Sequence, residues 1–129
     1  MIHQFPLRVY YEDTDLGGIV YYANYLKFIE RGRSEWVREI GVDQVALKLN
    51  DGVVFAVRHI EADYYSPARY DDELVVTTAV ESVSGARWIL RQTVERGGDL
   101  SFKALVTIVA INDLGVPTRL PAVFRQNLN

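Results

Sequence analysis

Hydrophobic positions along the chain change period once, dividing it into a helical part and a strand part. Between residues 22 and 40, Tyr25, Ile29, Trp36 and Ile40 recur at helical spacing with Gly32 among them, while Lys27, Arg31, Glu35 and Arg38 fall largely opposite. The pattern predicts one long amphipathic helix that stops at Gly41. A glycine inside a helix costs about 1 kcal/mol against alanine, so Gly32 on the buried stripe implies close approach to whatever the helix packs on. A shorter amphipathic piece over 43–49 ends at the turn Asn50-Asp51-Gly52.

Beyond that turn the period falls to two. Segments 53–65, 73–83, 87–96 and 100–112 read as strands, and Ser66-Pro67-Ala68, Ser84-Gly85 and Gly97-Gly98-Asp99 are turn signals. Antiparallel neighbours are expected where these links are tight. Trp88, Leu90, Gln92 and Val94 alternate with Ile89, Arg91, Thr93 and Glu95, so one face of that strand is the drier. In the last segment Phe102, Ala104, Val106, Ile108 and Ala110 lie on one side and Leu105, Val109 and Ile111 on the other, which predicts a central strand. A short strand over 7–11 precedes the long helix, and 121–128 reads as a short closing helix. One long helix cannot cover both faces of five or six strands, so leftover apolar surface predicts self-association.

Composition bounds this picture. At 129 residues the chain reads as a single domain over 1–129, and 49% apolar with 24% charged residues is ordinary for a globular protein. A net charge of −3 supplies no general attraction to nucleic acid or anionic lipid. The absence of cysteine excludes disulfide and thiolate chemistry and is consistent with a reducing compartment, the cytoplasm. The opening residues lack the basic cluster and apolar run of a signal peptide, and no stretch approaches the roughly 18 apolar residues of a membrane span.

The most function-like stretch joins the first strand to the long helix: Arg8-Val9-Tyr10-Tyr11-Glu12-Asp13-Thr14-Asp15-Leu16-Gly17-Gly18-Ile19-Val20-Tyr21-Tyr22-Ala23-Asn24-Tyr25. A carboxylate, a glycine turn and a helix start in one segment can supply both a base or nucleophile and unpaired backbone N–H groups for a developing oxyanion. On its residues alone Asp15 reads first as a turn residue ahead of Gly17-Gly18 or as a carboxylate complementing the helix dipole. The stretch resembles the 4-hydroxybenzoyl-CoA thioesterase family, and within it the Tol-Pal-associated acyl-CoA thioesterase branch. The resemblance runs on through Glu30-Arg31-Gly32-Arg33-Ser34-Glu35, Ala62-Asp63-Tyr64-Tyr65-Ser66-Pro67-Ala68-Arg69-Tyr70-Asp71-Asp72 and Leu120-Pro121.

That resemblance implies an α+β hotdog fold, an antiparallel sheet of five to six strands wrapped around one long helix. It also implies hydrolysis of an acyl-CoA or carrier-protein thioester without cofactor or metal, and a homodimer or homotetramer with sites between subunits. By family position Asp15 is the catalytic carboxylate, as general base or as nucleophile, and the Tyr22 amide is the oxyanion donor. The branch commonly carries a histidine where Tyr22 stands here, which bears on rate and substrate range.

Gly18, Tyr25, Phe55, Arg58 and His59 are candidate substrate contacts, although Tyr25 and Phe55, with Phe28, Tyr64 and Tyr65, fit an ordinary core as well as an acyl pocket. Arg58, Arg69, Arg87 and Arg91 are possible phosphate partners or simply exposed residues. His3 reads as a terminal surface residue, His59 as a strand residue, and Glu12, Asp13 and Asp15 as solvated loop charges. Two distant histidines without cysteine argue against a transition-metal site. The competing functions are a non-catalytic acyl-thioester binding or scaffold protein and a hotdog hydratase or dehydratase, which needs a histidine beside its carboxylate.

Overall fold

A computed structural model describes residues 2–126. Its strands are β1 (His3–Arg8), β2 (Val54–Tyr64), β3 (Glu73–Ser84), β4 (Arg87–Arg96) and β5 (Asp99–Ile111), and its helices are α1 (Asn24–Glu39), α2 (Gln44–Asp51) and α3 (Ala122–Gln126). The strands form one five-stranded sheet in the order β1-β3-β4-β5-β2, every neighbouring pair antiparallel. With α1 packed on β3, β1 and β4, this is the hotdog arrangement expected above.

Strand alternation decides which side chains meet the helix. Val76, Thr78, Leu90, Gln92, Val94, Phe102, Ala104 and Val106 are buried, and so are Phe28, Ile29, Gly32 and Trp36 of α1. Gly32 marks the tightest point, since a Cβ there would lie 2.5 Å from Val76 Cγ1, closer than real carbon contacts allow. Beside it the fully buried Gln92 donates from Nε2 to the Ile29 carbonyl and to Thr78 Oγ1, both at 2.9 Å, tying helix backbone to sheet. At the other end of the core Trp88 meets Phe124 of α3 at 4.5 Å and Trp36 at 5.4 Å between ring centres.

Several sequence expectations shift. The first strand begins at His3 and ends at Arg8, because Asp13 takes the N–H of Tyr10 (2.8 Å) and turns 11–13 into a short 3-10 helix. The strand also accommodates Pro6, since β1 is a sheet edge where a missing N–H is tolerated. β5 is interior, between β4 and β2, whereas the middle strand is β4. Ser66-Pro67-Ala68 belongs to a crossover and not a hairpin, because β2 pairs with β5 while β3 pairs with β1 and β4. Residues 127 and 128 of the expected closing helix lie outside the described residues. His3 is no free surface group: its side chain is 11% exposed, with Nε2 2.8 Å from Glu39 Oε2.

The Gly32–Val76 contact has a measurable consequence. Gly32→Ala should lower the urea midpoint by the equivalent of about 1–3 kcal/mol, as overpacking does, despite the better helix propensity of alanine. The same substitution in a Val76→Ala background should recover most of the loss. A stabilising Gly32→Ala in the wild-type background would show that the close approach does not exist.

Candidate active site

The loop between β1 and α1 is built on Asp13, which is buried and hydrogen-bonded, not a solvated loop charge. Its carbonyl accepts from the Tyr21 amide (2.9 Å) and from Asn24 Nδ2 (2.8 Å), joining the start of the loop to the start of the helix. Asp15 stands at the exposed tip. Its Oδ1 accepts the Gly17 amide at 2.8 Å, its carbonyl accepts the Gly18 amide at 3.0 Å, and Gly18 takes the left-handed conformation that closes the turn (φ +80°). A Cβ at Gly17 would lie only 3.1 Å from Asp15 Oδ1. Among the described residues Asp15 Oδ2 has no hydrogen-bond partner.

The facing wall is the Ser66-Pro67-Ala68 crossover, held to the helix start by one directional chain of hydrogen bonds. Ala68 N–H donates to Tyr25 Oη (3.0 Å), and Ser101 Oγ donates to the Ser66 carbonyl. Tyr25 Oη and Ser101 Oγ are 3.2 Å apart, and the fixed ends of the chain leave the Tyr25 hydroxyl as donor. The Ala68 carbonyl accepts the Val20 amide at 2.8 Å. Tyr64, the last residue of β2, donates from its hydroxyl to the Tyr22 carbonyl at 2.9 Å.

Between these walls lies a cleft of about 370 Å³, lined by Asp15, Tyr21, Tyr22, Tyr25, Tyr64 and Tyr65 among others. Asp15 carries the single carboxyl group of the lining, set among phenol rings, Ile19, Val20 and Pro67. Burial, then the neighbouring Tyr22 and Tyr25, holds Tyr64 above the ordinary tyrosine pKa, so its hydroxyl stays a donor at neutral pH. Tyr21 is raised as well, first by its hydrogen bond with Tyr22, then by the charge of Tyr22, burial and Asp15. Among the described residues the Tyr22 amide has no acceptor. It sits at the start of α1, whose N-cap, Ala23, has no capping side chain, so the positive end of the helix dipole is left open.

The fold thus brings Asp15, Tyr22 and Tyr25 together, with Gly18 in the supporting turn. It does not bring Phe55, Arg58 or His59 to the same cleft within one chain. Phe55 packs against Trp88 and Phe124, and Arg58 and His59 are exposed on β2, with His59 Nε2 3.5 Å from Glu61 Oε1. Phe28 is core. Tyr21, Ser66, Pro67 and Ser101 line the cleft without having been singled out as site residues; Ser66 and Pro67 read only as a turn, because the sequence does not tell what a crossover faces.

Comparison with known proteins gives concordant results. Residues 17–103 match the Thioesterase superfamily model. The acyl-CoA thioesterase YbgC of Haemophilus influenzae is 42% identical over 111 residues, covering 86% of this chain and 81% of that protein. The acyl-CoA thioester hydrolase YbgC of Escherichia coli O6:H1 is 37% identical over 131 residues, covering 97% of each. The solved structure of a probable thioesterase from Bartonella henselae superposes with a TM-score of 0.90 at 40% identity, covering 94% of this chain and 100% of that one. A family match across most of the chain, long relatives at about two-fifths identity and a superposable fold lead to one conclusion: the chain belongs to the thioesterase superfamily and is a thioester hydrolase.

Proposed function

We propose that the chain hydrolyses acyl-CoA thioesters to the free acid and coenzyme A, with Asp15 as the essential carboxylate and the Tyr22 amide as oxyanion donor. The observation that carries this reading is the sharing of one cleft by a carboxylate with an unbonded oxygen and the residue whose amide lacks an acceptor. A thioester carbonyl seated between them is attacked by water, whose proton Asp15 takes, or by Asp15 itself to give an anhydride that water then opens. Both routes need the ionised carboxylate, and both build negative charge on the carbonyl oxygen. A backbone N–H at a helix start meets that charge without reorganising. The carbon–sulfur bond breaks, the sulfur leaves as thiolate, and the proton released during hydrolysis makes it a thiol.

The histidine common in the branch is not needed for the donor, because an amide serves whatever side chain it carries. Among the described residues neither histidine lines the cleft, which weighs against a hydratase or dehydratase. Release of free thiol from acyl-CoA substrates separates hydrolysis from mere thioester binding.

The reading extends to assembly. β2 forms a sheet edge, and a second copy pairing antiparallel along it runs its Phe55, Arg58 and His59 toward the Tyr64 end of the first. These candidate substrate contacts, out of reach within one chain, then stand beside the other chain's cleft, and a tetramer of two such dimers covers further sheet. The thioester is carried by coenzyme A or an acyl carrier protein. The location is the cytoplasm, where such thioesters are made and used; no described helix is long and apolar enough to cross a membrane.

Three outcomes are expected. Asp15→Asn should fold normally yet lose about a hundredfold or more in kcat on the best acyl-CoA, followed with a thiol reagent. Near-wild-type turnover would remove Asp15 from the chemistry. Tyr22→Phe should leave kcat/KM nearly unchanged, whereas a tenfold drop, about 1.4 kcal/mol, would mean that the phenol takes part. Light scattering at micromolar concentration should report at least twice the 14.7 kDa chain mass, and a monomer would refute the dimer.

A further inference from the structure

Between α1 and β2 lies a second cleft, of about 250 Å³, that shares no lining residue with the cleft of Asp15. It is lined by Glu30, Arg33 and Val37 of α1, by Phe55 and Val57 of β2, and by Trp88. Arg33 is the anomaly. Its Nη1 is buried without a hydrogen-bond partner, and among the described residues the guanidinium makes no hydrogen bond, ion pair or ring contact. Arg33 is half-buried, and a charged nitrogen taken out of water without a partner carries a desolvation penalty that nothing offsets. Burial accordingly pushes the Arg33 pKa down, with the nearby Glu30 opposing the shift. Glu30 itself is engaged only by the Ser34 hydroxyl, one turn on, and keeps an exposed carboxylate.

We propose that Arg33 is completed by Glu30 of a second copy of this chain, and Glu30 by the partner's Arg33, as two symmetric ion pairs across a two-fold axis. The inference rests on the proposed pairing along β2. A two-fold perpendicular to the sheet at the free edge of β2 keeps both copies of α1 on the same face and runs them antiparallel. Glu30 and Arg33 stand on either side of the middle of α1 (Asn24–Glu39), so a two-fold axis passing that middle sets each acid opposite the other chain's base. The face is self-complementary in charge, as an isologous interface requires, and the apolar Val57, 44% exposed, lies beside it. An anionic ligand would satisfy Arg33 but leave Glu30 facing like charge.

Charge reversal tests this on the full chain by sedimentation equilibrium. Arg33→Glu and Glu30→Arg should each weaken self-association by about a hundredfold or more, because each sets like charges opposite one another. An equimolar mixture of the two variants should recover a species of dimer mass, since one chain then presents two acids and the other two bases. Pairing within one chain gains nothing from mixing. Wild-type-like association of either variant, or a mixture no tighter than its components, would overturn the inference while leaving the β2 dimer standing. A monomeric wild type would overturn both. If a variant does not fold alone, the two are co-expressed with different tags: recovery of a mixed dimer supports the cross-chain pair, and its absence overturns it.

Discussion

Everything in this protein hangs on how closely α1 lies against β3. Gly32 lets the helix backbone descend onto Val76, and Gln92 reaches from the floor of the sheet to the Ile29 carbonyl. With contact and hydrogen bond within one helical turn, the helix has neither freedom to slide nor room to lift. Its N-terminus is therefore fixed relative to the sheet edge where β2 ends and the crossover begins, and the cleft lies at that junction.

The cleft shows how a fold aims a backbone group. Asp13 carries no reacting atom, yet its carboxylate ends the first strand and its carbonyl receives both the Tyr21 amide and the Asn24 side chain. With the peptides before and after the Tyr21–Tyr22 peptide held, one through the Tyr21 amide at the Asp13 carbonyl and one through the Tyr22 carbonyl at the Tyr64 hydroxyl, the intervening Tyr22 amide is oriented by the scaffold. An amide held this way does not depend on the side chain at its own position, so the proposed donor role is compatible with the tyrosine that stands there. Tyr21 and Tyr64, both held above the ordinary tyrosine pKa, stay neutral beside Asp15, the one carboxyl group lining the cleft.

The single chain is also unfinished in one direction. α1 lies over the β1, β3 and β4 side of the sheet, β2 is a sheet edge, Val57 stays partly open and, among the described residues, the buried Nη1 of Arg33 has no acceptor. Apolar burial, backbone pairing and charge compensation are three separate demands, and all three point to the same edge. The antiparallel partner proposed above would answer them together.

Much of this was legible in the sequence. A period of 3.6 followed by a period of 2 set the helix and the strands, Gly32 on the apolar stripe announced the close approach, and the Asp15 to Tyr25 stretch carried the likeness to the family. These are local properties, because periodicity, turn chemistry and motif depend on residues near one another along the chain. What tertiary structure alone decided is who meets whom. Strand order put β4 in the middle in place of β5, made Ser66-Pro67-Ala68 a cleft wall instead of a hairpin, buried Asp13, and separated Phe55, Arg58 and His59 from Asp15. Alternation states which face of a strand is dry but not which strand lies beside it, since every antiparallel order offers the backbone the same hydrogen bonds and only the packed side chains tell them apart.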